Sequence, residues 1–221
     1  MLSLPPYTPD LRKRFQSDGY LPLPGLVNAA GVTRLRSEVA RLEGLATRRD
    51  LTMTCMGDSP RHMTTVGGRV IAAESELITR LYRDPDLVAL VGRIAGIVAV
   101  PVRDPLERYV VNILHRPGDT HGAHTDDYPL ALVLFAETPA GSDGGGLLEY
   151  VPRAEDLDAL DSSAVQLARH GPGDAYLLRS DTTAHRVTPL RRPGTRRSVV
   201  NLAYTTPGHQ HAVTESAALL Y

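Results

Sequence analysis

The period of the apolar positions changes part-way along the chain. After DGYLPLPG, Val32, Leu35, Val39 and Leu42 recur at steps of three and four, the stripe of one amphipathic helix face. Residues 75–98 hold two further helical runs, SELITRLY and DLVALVGRIAGIV. Pro85 stands near the start of the second, where its missing N–H costs nothing. Between these helices, LTMTCMGDSPRHMTTVGGR has no clean period, and a long loop is expected there, of the kind that often carries function. The first third therefore reads as helical with one short strand.

From about residue 107 the texture becomes that of strands: ERYVVNILH, LALVLFAE, GLLEYVP, DAYLLRS, HRVTPL and RRSVVNLAY. The breaks between them, RPGD, PAGSDGGG, HGPGD and RRPG, are turn chemistry. Many short strands with such turns imply a sandwich or barrel and not alternating βαβ units. The expected class is mainly β with flanking helices.

Composition narrows the setting. A chain of 221 residues with 42% hydrophobic and 22% charged positions and a formal net charge of -1 fits a soluble globular protein. No basic stripe interleaved with aromatics suggests nucleic acid, so none is expected as a partner. Lys13 is the only lysine among 24 basic residues, which we take as coding bias. The single cysteine, Cys55, excludes an internal disulfide framework and fits a reducing compartment. The opening MLSLPPYTPDLRKRF lacks the apolar core of a signal peptide, and no apolar run approaches a membrane span. A cytoplasmic protein is expected, with no membrane partner.

The candidate chemistry gathers in HGAHTDDYPLALVLF, residues 121–135. Burying that many ionisable groups at the mouth of an apolar strand is costly unless they are paired or hold a metal. His124 and Asp126 are two apart, which on a strand places imidazole and carboxylate on one side. One His-x-acid match is about what chance gives from 8 His and 25 acidic residues, so the pair alone is weak evidence. A third candidate ligand, His185, lies in TTAHRVTPL, and GTRRSVVNLAY then begins an apolar strand with two arginines. A buried arginine needs an anionic partner, which a small dicarboxylate would supply.

Together these pieces resemble the Fe(II)/2-oxoglutarate-dependent oxygenases: His124-x-Asp126, a distal His185, and Arg196 or Arg197 about ten residues later. The opening FQSDGYLPLPGLV and the run GGGLLEYVP are similar to the phytanoyl-CoA-dioxygenase-type branch. The resemblance implies a double-stranded β-helix, the jelly roll also found in cupins, as one domain over 1–221, with a helical part at about 1–100 and the core at about 101–206. It implies Fe(II) held by His124, Asp126 and His185 as the catalytic centre, with 2-oxoglutarate and O2 as co-substrates. Related halogenases have a small residue in place of the carboxylate. Asp126 therefore implies an oxygenase.

The surrounding residues resemble a subgroup that acts on free amino acids, the lysine-type halogenases and hydroxylases. By that resemblance Arg61 and His121 hold a substrate carboxylate, Glu107 and Asp127 face amino groups, and Asn201 lines the pocket. Each also has a bland reading: Glu107 as a solvated strand-end charge, Asp127 as a turn residue, Arg61 as an exposed side chain. His115, His170, His209 and His211 are assigned to surface or core roles, and His62 is left undecided.

Strand parity gives two candidate 2-oxoglutarate anchors. One set is Arg196, Ser198 and Val200, which has the family's Arg-x-Ser pairing. The other is Arg197, Val199 and Asn201, which turns Asn201 into the pocket and is the set we favour. The expected activity is oxidation of an unactivated C–H bond of a small amino-acid-like substrate in specialised metabolism. Hydroxylation is the default; desaturation, oxidative ring closure such as cyclopropane formation, and a non-catalytic jelly-roll binding module are the rivals.

Overall fold

The run LALVLFAE forms β7 (Leu130–Glu137) and is buried on both of its faces, which is why it shows no alternation. The computed structural model describes residues 1–141, 143–209 and 215–221. Around β7 stand β5 (Tyr109–Leu114), β6 (Thr120–His124), β8 (Leu148–Tyr150), β9 (Gln166–Ala168), β10 (Ala175–Leu178), β11 (His185–Val187) and β12 (Arg197–Thr205). They pair antiparallel in the orders β10-β7-β12-β5 and β6-β11-β8-β9, the two facing sheets of a double-stranded β-helix. β1 (Tyr20–Leu23) extends the first sheet beyond β10, and β4 (Val100–Pro101) pairs with the end of β12.

The stretch read as a long loop is a β-hairpin. β2 (Thr47–Met53) pairs along β3 (Ser59–Val66), from Thr47 opposite Thr65 to Met53 opposite Ser59. A short 3-10 turn at Thr54–Met56 and two left-handed residues, Gly57 and Asp58, reverse the chain. β2 is an edge strand with mostly half-exposed or exposed side chains, so it carries no apolar alternation to read. β3 bridges the two sheets: Thr64–Val66 pair with β5, whereas Arg61 and His62 pair with His121 and Thr120 of β6. The expected division into a helical first hundred residues and a β core therefore shifts, because β1, β2 and β3 belong to the sheet.

Helices α1 (Pro9–Asp18), α2 (Ala29–Glu43), α3 (Gly68–Glu74), α4 (Glu76–Tyr82) and α5 (Pro85–Ala95) supply the other side of the main core. Asn28 caps α2 by accepting from the Gly31 N–H at 2.9 Å, and Asp84 caps α5 through the N–H groups of Asp86 and Leu87. Leu35, Val39 and Leu42 of α2 and Leu87, Val91 and Ile94 of α5 share one core with Leu130, Leu132 and Leu134 of β7 and Val200 and Leu202 of β12. Each such side chain withdrawn from water contributes about 1.5–3 kcal/mol. The alternate residues Ala131, Val133 and Phe135 join Tyr176, Leu178 and Val199 in a second, inner cluster. On β12 this parity turns Arg197, Val199 and Asn201 inward. Among the described residues no helix is long and apolar enough to cross a membrane.

Candidate active site

His124 ends β6 and His185 begins β11, and the two are direct cross-strand partners. Asp126 follows just beyond β6, its backbone N–H donating to the Ser180 carbonyl at 2.8 Å. One ligand atom from each of His124, Asp126 and His185 lies within 4.8 Å of the others, and His124 Nε2 is 3.6 Å from Asp126 Oδ1. His124 Nδ1 faces the Gly122 carbonyl at 2.7 Å and His185 Nδ1 the Thr183 carbonyl at 2.9 Å. A carbonyl only accepts, so each Nδ1 carries the proton and each Nε2 keeps its lone pair for a metal.

The electrostatics agree. Burial, reinforced by His121 and His185, holds His124 well below the usual imidazole range, so it is neutral. Burial pushes the Asp126 carboxyl up, against the pull of His185 and Ser180. A divalent cation reverses that penalty. Two neutral imidazoles and one carboxylate are the donor set suited to non-haem Fe(II). His121 stacks on His124 with ring centroids 4.0 Å apart, and burial keeps it neutral too.

Arg197 points into the same cavity, together with Asn112, Tyr176 and Asn201. Its guanidinium lies 5.1 Å from the Phe135 ring centroid and shares the cavity lining with Tyr176, yet its Nε has no hydrogen-bond partner among the described residues. A buried cation without a carboxylate is a site for an anion, and the distal carboxylate of 2-oxoglutarate fits it. Arg196 and Ser198, the alternative anchors, have the opposite parity and face away. Arg196 pairs with Glu43 of α2 at 2.9 Å and Glu137 of β7 at 3.1 Å, and Ser198 Oγ donates to Glu137 at 2.8 Å. Glu137 and Glu43 hold both residues outside the cavity.

Arg61 is a second buried guanidinium, only 1% exposed and opposite His121 in register. It donates to Ser59 Oγ at 2.8 Å and the Pro60 carbonyl at 3.1 Å, and among the described residues its Nε again lacks a partner. Burial pulls it down to about 10, against the attraction of Tyr221 and Asp126. A neighbouring cavity is lined by Glu107, Asp127, Tyr128 and Tyr221, and Asp126 and Asn201 line both spaces. Burial, then the charges of Asp127, Asp126 and Asp104, pushes Glu107 up to about 9. Asp127 accepts from Ser216 Oγ of α6 (Glu215–Leu220) at 2.8 Å.

The structure thus brings together His124, Asp126, His185, Arg197, Arg61, His121, Glu107, Asp127 and Asn201. The sequence reading missed three residues. Asn112 and Tyr176 lie on inward positions of β5 and β10, and the Asn112 amide oxygen has no hydrogen-bond partner among the described residues. The parity argument used for β12 could have found Asn112 inside VVNIL. Tyr221 comes from a distant segment and sets its phenol among Glu107, Asp126, Asn112 and Arg61. No local signal marks it. His62 sits outside the site, paired with Asp50 at 3.1 Å. His115 is half-buried, His170 packs on Phe135 and His209 is exposed, while His211 lies outside the described residues.

Solved structures share this fold. The epimerase SnoN, in complex with Fe3+, alpha ketoglutarate and nogalamycin RO, superposes with a TM-score of 0.74 at 18% identity, over 96% of this chain and 88% of its own. The carbocyclase SnoK from nogalamycin biosynthesis gives 0.71 at 16% identity, over 90% and 84%. EctD from S. alaskensis, with 2-oxoglutarate and 5-hydroxyectoine, gives 0.69 at 16% identity, over 92% and 77%. Among curated proteins, no sequence matches the chain. A jelly roll carrying two imidazole lone pairs and a carboxylate, with a buried guanidinium in the same cavity, defines an Fe(II)/2-oxoglutarate-dependent dioxygenase. Within that class the chain belongs to the Halogenase D family, whose model matches residues 5–218.

Proposed function

We propose that the protein oxidises an unactivated C–H bond of a free amino acid or close derivative, in specialised-metabolite biosynthesis, with hydroxylation as its outcome. The observation that carries this reading is Arg61. One buried guanidinium, Arg197, suffices for 2-oxoglutarate; a second without an ion pair asks for a second anion, the substrate carboxylate. His121, neutral and in register with Arg61, supplies a further polar contact. Glu107, Asp127 and the Asn201 amide oxygen line the adjoining space and suit an amino group.

When bound, iron, 2-oxoglutarate and dioxygen supply the oxidising equivalents, the co-substrate leaving as succinate and CO2. The chain's own residues orient and exclude. Arg197 fixes the co-substrate, and the inner wall of Ala131, Val133 and Val199 keeps water from the reacting carbon. Asp126 supports oxygen transfer over halogen transfer despite the family's name, because its carboxylate takes the position a halide would need. SnoN and SnoK carry epimerisation and carbocyclisation on this fold, so desaturation or ring closure is the alternative outcome.

The test is turnover of a panel of free amino acids with Fe(II), 2-oxoglutarate, O2 and chloride, read by product mass. One succinate per product that has gained one oxygen supports the proposal. A product lighter by two hydrogens moves it to desaturation or ring closure. A chlorinated product, or succinate only with a carrier-bound acyl group, refutes it.

A further inference from the structure

Between the two sheets, Tyr176 of β10, Tyr20 of β1 and Tyr150 of β8 form a run of oxidisable side chains that substrate binding does not use. Tyr176 lines the metal cavity together with Arg197. Its ring centroid is 5.7 Å from that of Tyr20, and Tyr20 stacks on Tyr150 at 4.4 Å with the planes 29° apart. Tyr20 Oη is 2.9 Å from His170 Nε2, and Phe135 stacks on the imidazole at 4.4 Å and 15°, fixing its plane. Packing alone does not require these hydroxyls. Phenylalanine fills the same volume without a polar group that must be satisfied when buried.

We infer that Tyr176, Tyr20 and Tyr150 form a relay that drains the oxidised iron centre when no substrate hydrogen is within reach, with His170 accepting the Tyr20 proton. In one escape event Tyr20 would give one electron, by way of Tyr176, to the oxidised metal site, where a proton from solvent would balance the charge; two such events would restore the ferrous state. The Tyr20 O–H bond breaks, and its proton forms a bond to His170 Nε2. A soluble one-electron reductant such as ascorbate then returns the electron, and His170 returns the proton.

The surroundings give the relay a direction. Tyr176 lies against the Arg197 cation, which opposes removing an electron from its ring. Tyr20 instead has a base at its hydroxyl. Burial, with Arg197 nearby, pulls His170 down to about 4, so the imidazole is neutral and able to take a proton. Burial also pushes the Tyr20 phenol up, so its oxidation requires that acceptor. The hole therefore settles on Tyr20. Tyr176, Tyr20 and Tyr150 are all buried, whereas His170 is half-buried, so the relay meets solvent at His170. The inference rests on the enzyme class and not on the identity of the substrate.

Freeze-quench electron paramagnetic resonance tests it, on enzyme loaded with Fe(II) and 2-oxoglutarate and mixed with O2 without substrate. The wild type should show a tyrosyl radical that Tyr20→Phe and His170→Phe each reduce several-fold. With ascorbate present, Tyr20→Phe should inactivate several-fold sooner, while its first-turnover succinate is unchanged. Metal-free protein oxidised by flash-generated ruthenium(III) tris-bipyridine should give the same radical, again lost in Tyr20→Phe. Should Tyr20→Phe not fold, His170→Phe, which keeps the stacking and takes no proton, decides alone. No tyrosyl radical in the wild type, or equal yield and lifetime in the variants, would reduce the cluster to packing and overturn the relay.

Discussion

Arg196 and Arg197 are adjacent in sequence and opposite in environment. Arg196 is held by Glu43 and Glu137, whereas Arg197 is buried beside the triad with an unpartnered Nε. A bidentate guanidinium–carboxylate contact is poorly replaced by an ammonium. Losing one charge-assisted hydrogen bond costs about 1.5–3 kcal/mol, or roughly 10–100-fold. Arg197→Lys should therefore raise the KM for 2-oxoglutarate by about that factor, and Arg196→Lys should leave it nearly unchanged. The reverse ranking in steady-state kinetics hands the anchor to Arg196. Glu107 makes a second prediction. Its folded pKa of about 9 lies above the ordinary 4.5, so the folded state binds a proton that the unfolded state has released. Metal-free protein should lose stability as pH rises through that window. Glu107→Gln should flatten the loss in thermal melts between those limits, and should weaken a cationic substrate far more than a neutral one. A melt profile identical to the wild type would show that the acid is solvated.

Elements place those residues, and β6 against β3 is the decisive pair. Gly122 sits between His121 and His124 because β3 crosses directly over it. A Cβ there would lie 2.5 Å from Ser59 Oγ and 2.7 Å from the Pro60 carbonyl oxygen. Its own carbonyl also orients His124. Gly122→Ala should thus push β3 from β6, cost about 1–3 kcal/mol in denaturant melts, and weaken Fe(II) binding by about 10–100-fold through the disturbed imidazole. Retained iron affinity in that variant would mean β3 yields freely. The same pair shows what the sequence could and could not disclose. The strands from β5 onward were legible because turn clusters punctuate apolar runs. β2 and β3 were not, since an edge strand and a strand facing a polar site both lack apolar alternation. Arg61, expected in a loop, lies buried on β3.

The molecule as a whole wraps two sheets around one polar cavity and covers the larger sheet with helices. His124 and Asp126 were legible as a His-x-Asp pair at a strand end, His185 through the family resemblance, and Arg197 because parity on β12 is set by apolar Val200 and Leu202. Asn112 was open to the same parity reading on β5, whereas Tyr176 and Tyr221 were not legible, because only the fold brings β10 and the segment after α6 to the two adjoining cavities. The proposed substrate pocket rests on that convergence, and an anaerobic titration tests it most directly. Protein with Fe(II) and 2-oxoglutarate should show a metal-to-ligand charge-transfer band. Free amino acids with neutral or basic side chains should shift it saturably, while aspartate and glutamate should not, since Asp127 repels a second carboxylate whereas an ammonium group draws the proton off Glu107. Arg61→Ala should abolish the shift and leave the band itself. A band that no free amino acid moves, or a shift that survives Arg61→Ala, would contradict the account.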